Sequence, residues 1–350
     1  MFVTLEQTDA AELHQFRDPA TGLRALIALH STRLGPALGG CRCLPYPDEH
    51  TALNDVCRLA RGMSYKAALA GLPLGGGKAV IMEPDKPYDR AALYRAFGDA
   101  VNRLGGRYIT AMDAGTEITD LDQVATRTRH VWGFSGDGMD PSPYTALGVF
   151  AALDAGIRHR FQRHGAKGLH IAIQGLGHVG SQLALMLARA GARLTLADLD
   201  PRRAQRLADR LNTRWVPADS LYDVACDIFM PCALGGVLNA DTIPRLHAAL
   251  IVGAANNQLA SDDDAQRLRQ RDILYTPDYL NNAGGLISLA LGHRQEDRST
   301  IRQKVLGIGR TLSQLLDQAD QHHLSPAQMA DRQAEQRLHD DTGKHAWEAA

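Results

Sequence analysis

The sequence predicts an α/β protein of two domains, the second built on a doubly wound parallel sheet. Three observations predict it. The chain has 350 residues, enough for two domains of ordinary size. From residue 169 onward, short apolar runs alternate with Gly-rich turns and helical stretches, the signature of parallel strands joined by crossover helices. Ahead of them, GFSGDGMDPSPYTA (133–146) is rich in Gly, Pro and Ser, which marks the connection between domains. The expected division is residues 1–135 and 140–325, with the helices from about 325 packing back on the first domain.

In the first domain, LRALIALH (23–30) reads as a strand. EHTALNDVCRLARGMSYKAALAG (49–71) reads as a helix, with Leu53, Val56, Cys57, Ala60 and Met63 at helical spacing and Gly71 and Pro73 as its stop. KAVIM (78–82) is a short strand, YDRAALYRAFGDAVNRLGG (88–106) a second helix, and RYITAMD (107–113) a strand ending in a carboxylate. Helix resumes at ALGVFAALDAGIRHRFQ (146–162).

In the second domain, LHIAIQ is a strand, GLGHVG a turn, SQLALMLARAG a helix and RLTLAD the next strand. CDIFMPCA (226–233), LIVGAANN (250–257) and ILYTPDYL (273–280) are further strands, and one helical tail is expected from about 297 to 338. The turn holds Gly175-Leu176-Gly177-His178-Val179-Gly180, and Asp198 ends the following strand. That spacing is the Rossmann dinucleotide fingerprint. Its first glycine allows the tight turn, its second lets backbone approach a pyrophosphate, and its third lets helix and strand pack closely. Free N–H groups at the helix start favour the pyrophosphate. Asp198 can accept from ribose hydroxyls and would repel a 2′-phosphate, favouring NAD, although Arg202 and Arg203 weaken that preference.

Composition excludes several classes. The net charge of −1 favours neither a nucleic-acid partner nor an anionic membrane surface. No apolar run approaches the ~20 residues of a membrane span, and MFVTLEQTDAAELHQF lacks the basic and apolar regions of a signal peptide. Five cysteines (41, 43, 57, 226, 232) form no CxxC pair, which argues against a disulfide framework or zinc knuckle and for reduced thiols in the cytoplasm. No HExxH occurs, and His159, His164, His322 and His323 lie among Arg and Gln, so no metal site is expected.

GLPLGGGKAVI (71–81) resembles a phosphate loop, but that motif requires Gly at 72 and Ser or Thr at 79, where the chain has Leu72 and Ala79. The glycines must instead allow close approach of a ligand or of another backbone. A partly desolvated lysine gives up its proton more readily and can serve as a base. Lys66, Lys78 and Asp113 can therefore converge on a small anion with a carbonyl or imine carbon beside its carboxylate.

GMSYKAALAGLPLGGGKAVI, RYITAMDAGT, PSPYTALGV, QGLGHVG, PCALGG, GAANNQL and NNAGGLI, in this order over about residues 20–340, resemble the glutamate/leucine/phenylalanine/valine amino-acid dehydrogenases. The resemblance is to the short leucine and phenylalanine subgroup, with tryptophan dehydrogenases close by. It implies an N-terminal α/β substrate domain, a Rossmann NAD domain and a cleft between them. It places the catalytic lysine on Lys78, the catalytic aspartate on Asp113 and the carboxylate-binding lysine on Lys66. Gly39 and Gly40 match backbone lying against the substrate. Thr145, Ala233, Asn256 and Asn282 fall on motifs lining the nicotinamide and substrate region. The implied reaction is oxidative deamination to the 2-oxo acid and ammonia, and the implied assembly a homo-oligomer.

Glutamate-specific members of that family carry lysine just before the paired glycines, where this chain has Leu38. A substrate carboxylate there would be buried unpaired at heavy cost, so an apolar side chain of the leucine, valine or isoleucine type is expected. Leu286 and Leu289 match pocket-lining positions, and Ala111 and Met63 are candidates beside them. An aromatic amino acid is the alternative, because pocket size separates such substrates by only about 1–3 kcal/mol. Cys41, Cys43 and His178 depart from common family residues. A non-catalytic NAD-binding regulator would be expected to lack Lys66, Lys78 or Asp113, and all three are present.

Overall fold

Buried apolar strands with helices on their faces recur twice along the chain. The structure is a computed structural model and describes residues 9–138 and 140–340. Residues 1–8, part of the stretch read above for a signal peptide, lie outside the described residues. The chain divides into two compact units. One is Met1–Asp140 with Gly292–Gln295 and Gln333–Ala350, the other Pro141–Leu291 with Glu296–Arg332.

The first unit holds β1 (Glu12–Asp18), β2 (Leu23–Ser31), β3 (Ala37–Leu44), β4 (Gly75–Met82) and β5 (Tyr108–Met112) in the order β1-β2-β4-β3-β5. The β1–β2 and β2–β4 pairs are antiparallel, and β3 runs parallel to β4 and β5. Alternation along the strands splits the core in two. Ala28, Val80 and Met82 pack with Ala52, Val56 and Ala60 of α1 (Glu49–Leu69). Ile27, Cys41, Cys43 and Ile81 pack on the other face with Leu93 and Phe97 of α2 (Arg90–Asn102) and Leu121 of α3 (Ile118–Ala125). Asp48 caps α1 by accepting from the Thr51 amide at 2.7 Å. The strand expected at 78–82 starts at Gly75, so the glycines belong to the sheet rather than to a loop.

The second unit comprises α4 (Ser142–Phe161), β6 (His170–Gln174), α5 (His178–Arg189), β7 (Arg193–Ala197), α6 (Pro201–Leu211), β8 (Arg214–Trp215), β9 (Ile228–Pro231), β10 (Leu250–Ile251), α7 (Asp263–Gln270), β11 (Leu274–Tyr275) and α8 (Asp278–Asn281), followed by most of α9 (Gly284–His293), α10 (Arg298–His322) and the start of α11 (Pro326–Asp340). Its sheet order is β11-β10-β9-β6-β7-β8 and every pair is parallel. Read from β6, this is the 3-2-1-4-5-6 order of the doubly wound dinucleotide fold, with its switch point between β6 and β9.

Four expectations are corrected here, three strands and the tail. The strands expected at 226–233, 250–257 and 273–280 are only 228–231, 250–251 and 274–275. Pro277, which has no N–H to donate, is followed at once by the helical turn of α8. The tail is two helices. His323 takes the left-handed conformation (φ 56°) that ends α10. Ser325 and Gln328 then bond reciprocally, Gln328 N to Ser325 Oγ at 3.2 Å and Ser325 N to Gln328 Oε1 at 3.0 Å, which starts α11.

Candidate active site

In the first unit the sheet brings Lys78 and Asp113 together. Lys78, on β4, is 5% exposed. Its Nζ lies 2.7 Å from Oδ2 of Asp113, the residue after β5. Gly40 makes this possible. A Cβ at residue 40 would lie 2.6 Å from the Met112 carbonyl oxygen and 2.9 Å from Asp113 Cβ.

Burial alone would push the Asp113 carboxyl upward, but Lys78 and Arg42 outweigh it and hold the group well below the usual carboxylate range. Arg42 Nε donates to Asp113 Oδ2 at 3.2 Å. Its Nη1 donates to Asp55 Oδ1 and Oδ2 at 3.2 and 2.9 Å, and Tyr46 donates its hydroxyl to Asp55 Oδ2 at 2.5 Å. The Asp113 turn is fixed as well. The Asp113 amide donates to Thr116 Oγ1 at 2.9 Å, and Arg90 bridges the Gly115 carbonyl to both oxygens of Asp120.

Lys66 is buried near the end of α1. It follows Asp55 by three helical turns, within roughly 20° around the axis, so both project from the same side of α1. Leu38 is 1% exposed on β3 and shares strand parity with Gly40 and Arg42, facing α1. The glycines serve the second of the two roles expected of them. A Cβ at Gly39 would overlap the Gly77 carbonyl, one at Gly75 the Ser31 carbonyl, and one at Gly76 the Ser64 amide. They let strand meet strand and helix. Cys41 and Cys43 belong to the core on the opposite face, so they act on packing there.

In the second unit the glycine turn forms as the fingerprint requires. Gly175 has φ 90° and lies against Ala233, so the turns after β6 and β9 meet at the switch point. Gly177 faces open space, where backbone can meet a ligand, and no side chain caps α5. A Cβ at Gly180 would overlap the Gly175 carbonyl, which explains the third glycine. Leu176 is buried and donates its amide to Asp198 Oδ2 at 2.7 Å. His178 and Val179 open α5, with His178 exposed.

Farther round the same sheet edge, Asn282 donates to Asn256 Oδ1 at 2.9 Å and to the Ala254 carbonyl at 3.0 Å. Its own Oδ1 is buried without a hydrogen-bond partner, an acceptor suited to an amide or amine N–H. A Cβ at Gly285 would lie 2.6 Å from Thr145 Oγ1, placing Thr145 beside the start of α9. Leu286 and Leu289 follow on α9, buried and half-buried. The turn, the open glycine and the orphaned acceptor together fit a bound dinucleotide.

The sequence reading missed Arg42, Asp55 and Tyr46. One signal was available: an arginine inside an otherwise apolar strand has to find a carboxylate.

Residues 11–130 match the Glu/Leu/Phe/Val dehydrogenase dimerisation domain, and residues 195–339 match Glutamate/Leucine/Phenylalanine/Valine dehydrogenase. Over 341 residues the chain is 40% identical to the leucine dehydrogenase of Thermoactinomyces intermedius, covering 97% of this chain and 93% of that protein. The chain belongs to the glutamate/leucine/phenylalanine/valine dehydrogenase family. It is also 42% identical over 318 residues to the L-tryptophan dehydrogenase of Nostoc punctiforme, covering 90% of each. The crystal structure of L-tryptophan dehydrogenase from Nostoc punctiforme matches with a TM-score of 0.83 at 38% identity, over 97% of this chain and 99% of that one. The protein is thus an amino-acid dehydrogenase, an oxidoreductase of an NAD(P)-dependent family with that family's two-domain fold. Among the described residues, no helix is long and apolar enough to cross a membrane.

Proposed function

We propose that this dehydrogenase uses NAD to deaminate an apolar L-amino acid of the leucine, valine or isoleucine type, releasing the 2-oxo acid and ammonia. The observation that carries the reading is the buried Lys78–Asp113 pair, 2.7 Å apart, on the sheet face that Leu38 shares. The first unit serves as the substrate domain and the second as the cofactor domain.

Lys66 binds the α-carboxylate, and Gly39 and Gly40 supply backbone beside the substrate. Leu38, Leu286 and Leu289 give the side chain an apolar surround, in which a second carboxylate would be unpaired. NAD, when bound, supplies the hydride acceptor for the substrate Cα. Gly175, Gly177, His178, Val179 and Gly180 hold its pyrophosphate, with Leu176 behind them. Asp198 takes the ribose, and Thr145, Ala233, Asn256 and Asn282 surround the nicotinamide end. Lys78, in its neutral form, draws a proton from the water that attacks the iminium carbon. Asp113 gives and takes the protons of the amine, so that nitrogen leaves as ammonia. The 2.7 Å contact between them lets a proton pass from one to the other.

The 42% identity to an L-tryptophan dehydrogenase supports a second reading, an aromatic substrate. A panel of leucine, valine, isoleucine, phenylalanine, tryptophan and glutamate, assayed by formation of reduced nicotinamide, separates the two. Turnover with an aliphatic member and none with glutamate is expected. No turnover with any amino acid would sink the enzyme reading. The match of the first unit to a domain named for dimerisation supports a homo-oligomer, which light scattering tests, and the free thiols among the described residues support a cytoplasmic setting, which fractionation tests.

A further inference from the structure

The proposed chemistry assigns no step to Arg42, yet Arg42 is the second cation on Asp113. Lys78 Nζ and Arg42 Nε both approach Oδ2, at 2.7 and 3.2 Å. Only one of the two can lose its proton. A guanidinium stays charged throughout the working pH range, whereas an ammonium does not have to. When Lys78 is neutral, Asp113 would be a buried carboxylate without a counter-charge if Arg42 were absent, and such a carboxylate takes a proton.

Arg42 is itself anchored. Asp55 engages Nη1 with both oxygens, and Tyr46 holds Asp55 from behind. The guanidinium therefore has a fixed orientation, with Nε turned to Asp113. We propose that Arg42, anchored by Asp55, is a positioning residue that fixes Asp113 and keeps it an anion while Lys78 gives up its proton. This rests on the reading of Lys78 and Asp113 given above.

The charged and titratable groups around Asp113 come from each neighbouring element. Lys78 is on β4, Arg42 on β3 with Tyr46 just beyond it, and Asp55 on α1. Asp120 of α3 is occupied by Arg90. Cys41 and Cys43 lie on the opposite face of β3. Arg42 is the group here that supplies permanent positive charge directly to the carboxylate.

The test compares Arg42→Gln, Arg42→Lys and Asp55→Asn in the full chain. The first readout is an NMR titration of carboxyl-labelled aspartate, with the Asp113 signal identified by its loss in Asp113→Asn. The second is the pH profile of kcat/KM with the best amino acid. In Arg42→Gln the Asp113 signal is expected to titrate at higher pH, and the acid limb of the profile, where the Lys78–Asp113 pair gives up the proton it shares, to move up by about one unit. At neutral pH kcat should fall about tenfold, with KM changed less than about twofold. Arg42→Lys should recover most of kcat. Should Arg42→Gln fail to fold, Asp55→Asn keeps the arginine but frees it, and a smaller fall in kcat at little-changed KM is expected. An unmoved Asp113 titration in Arg42→Gln, an unchanged kcat in Asp55→Asn, or a rise in KM alone in whichever variant folds, would overturn the proposal. Absence of turnover in the wild type would sink the dehydrogenase reading instead, and the NMR titration would still decide the role of Arg42.

Discussion

Tyr65 donates its hydroxyl to Glu335 at 2.7 Å, joining residues 270 positions apart in the chain. Both belong to the first unit. Two residues beyond Glu335, Arg337 donates to the carbonyls of Ala68 and Leu69 at 2.9 and 3.0 Å. These are among the last carbonyls of α1, which lack partners within the helix. The end of α11 thereby caps the turn of α1 that carries Lys66. Replacing Arg337 by Ala should cost about 1–3 kcal/mol in a urea melt. If Lys66 binds the substrate carboxylate, KM for the amino acid should rise more than KM for the cofactor. An equal rise in both would show that the cap does not serve Lys66.

Leu38 sits fully buried on the face it shares with Arg42. Leu38→Lys would bury a further ammonium on that face beside Arg42 and Lys78, so the variant is expected to melt several degrees lower than wild type. Glutamate should restore part of the loss and leucine should not, because only glutamate brings a second carboxylate to pair with the new charge. A thermal-shift assay with each amino acid reads this directly. Equal effects of the two ligands would remove Leu38 from the substrate pocket.

Asp198 Oδ1 lies 3.4 Å from Nη1 of Arg203, while Oδ2 holds the Leu176 amide. Asp198→Ala should remove the charge that opposes a 2′-phosphate and release Arg203 toward it. The ratio of kcat/KM for NADP over NAD should then rise by about tenfold or more. The parent is expected to prefer NAD. A parent that prefers NADP would show that Arg203, and not Asp198, sets the choice.

Burial pushes His30 from 6.5 down to about 4. Its Nδ1 lies 2.9 Å from Ser64 Oγ, and its Nε2 is buried without a partner. As pH falls below 6.5 the unfolded chain takes up a proton at this residue, and the folded chain does not until about pH 4. Stability from this group is therefore complete at pH 7 and lost progressively between those values, by at most about 3 kcal/mol. His30→Gln should flatten that part of the profile. Urea midpoints at pH 7 and near pH 4.5 for parent and variant measure it, and parallel losses in both would place the acid sensitivity elsewhere.

Local chemistry made much of the molecule readable before its fold was known. The glycine turn, Asp198 at the end of the next strand and the alternation of strand and helix each depend on neighbours within a few tens of residues. Lys78 and Asp113 could be proposed by their setting, although only the sheet order brings them to 2.7 Å. The Arg42–Asp55–Tyr46 network was not readable, because it depends on α1 crossing β3 at one depth and on which way each side chain turns. The short β8, β10 and β11 are two residues each. Their strand character comes from pairing across the sheet, so β8 went unread, while the apolar runs around β10 and β11 suggested longer strands. The break at His323 was carried by a capping signal, Ser325 to Gln328, inside a stretch whose apolar period ran on without interruption.

Protein backbone already fills the space beside Gly39, Gly75 and Gly76. Any side chain there would force neighbouring strands or α1 to move. Those positions are closed to variation, whatever substrate the enzyme takes. A library aimed at a new amino acid would waste its diversity on the glycine run, whereas Leu38 beside it is the position proposed to meet the substrate side chain.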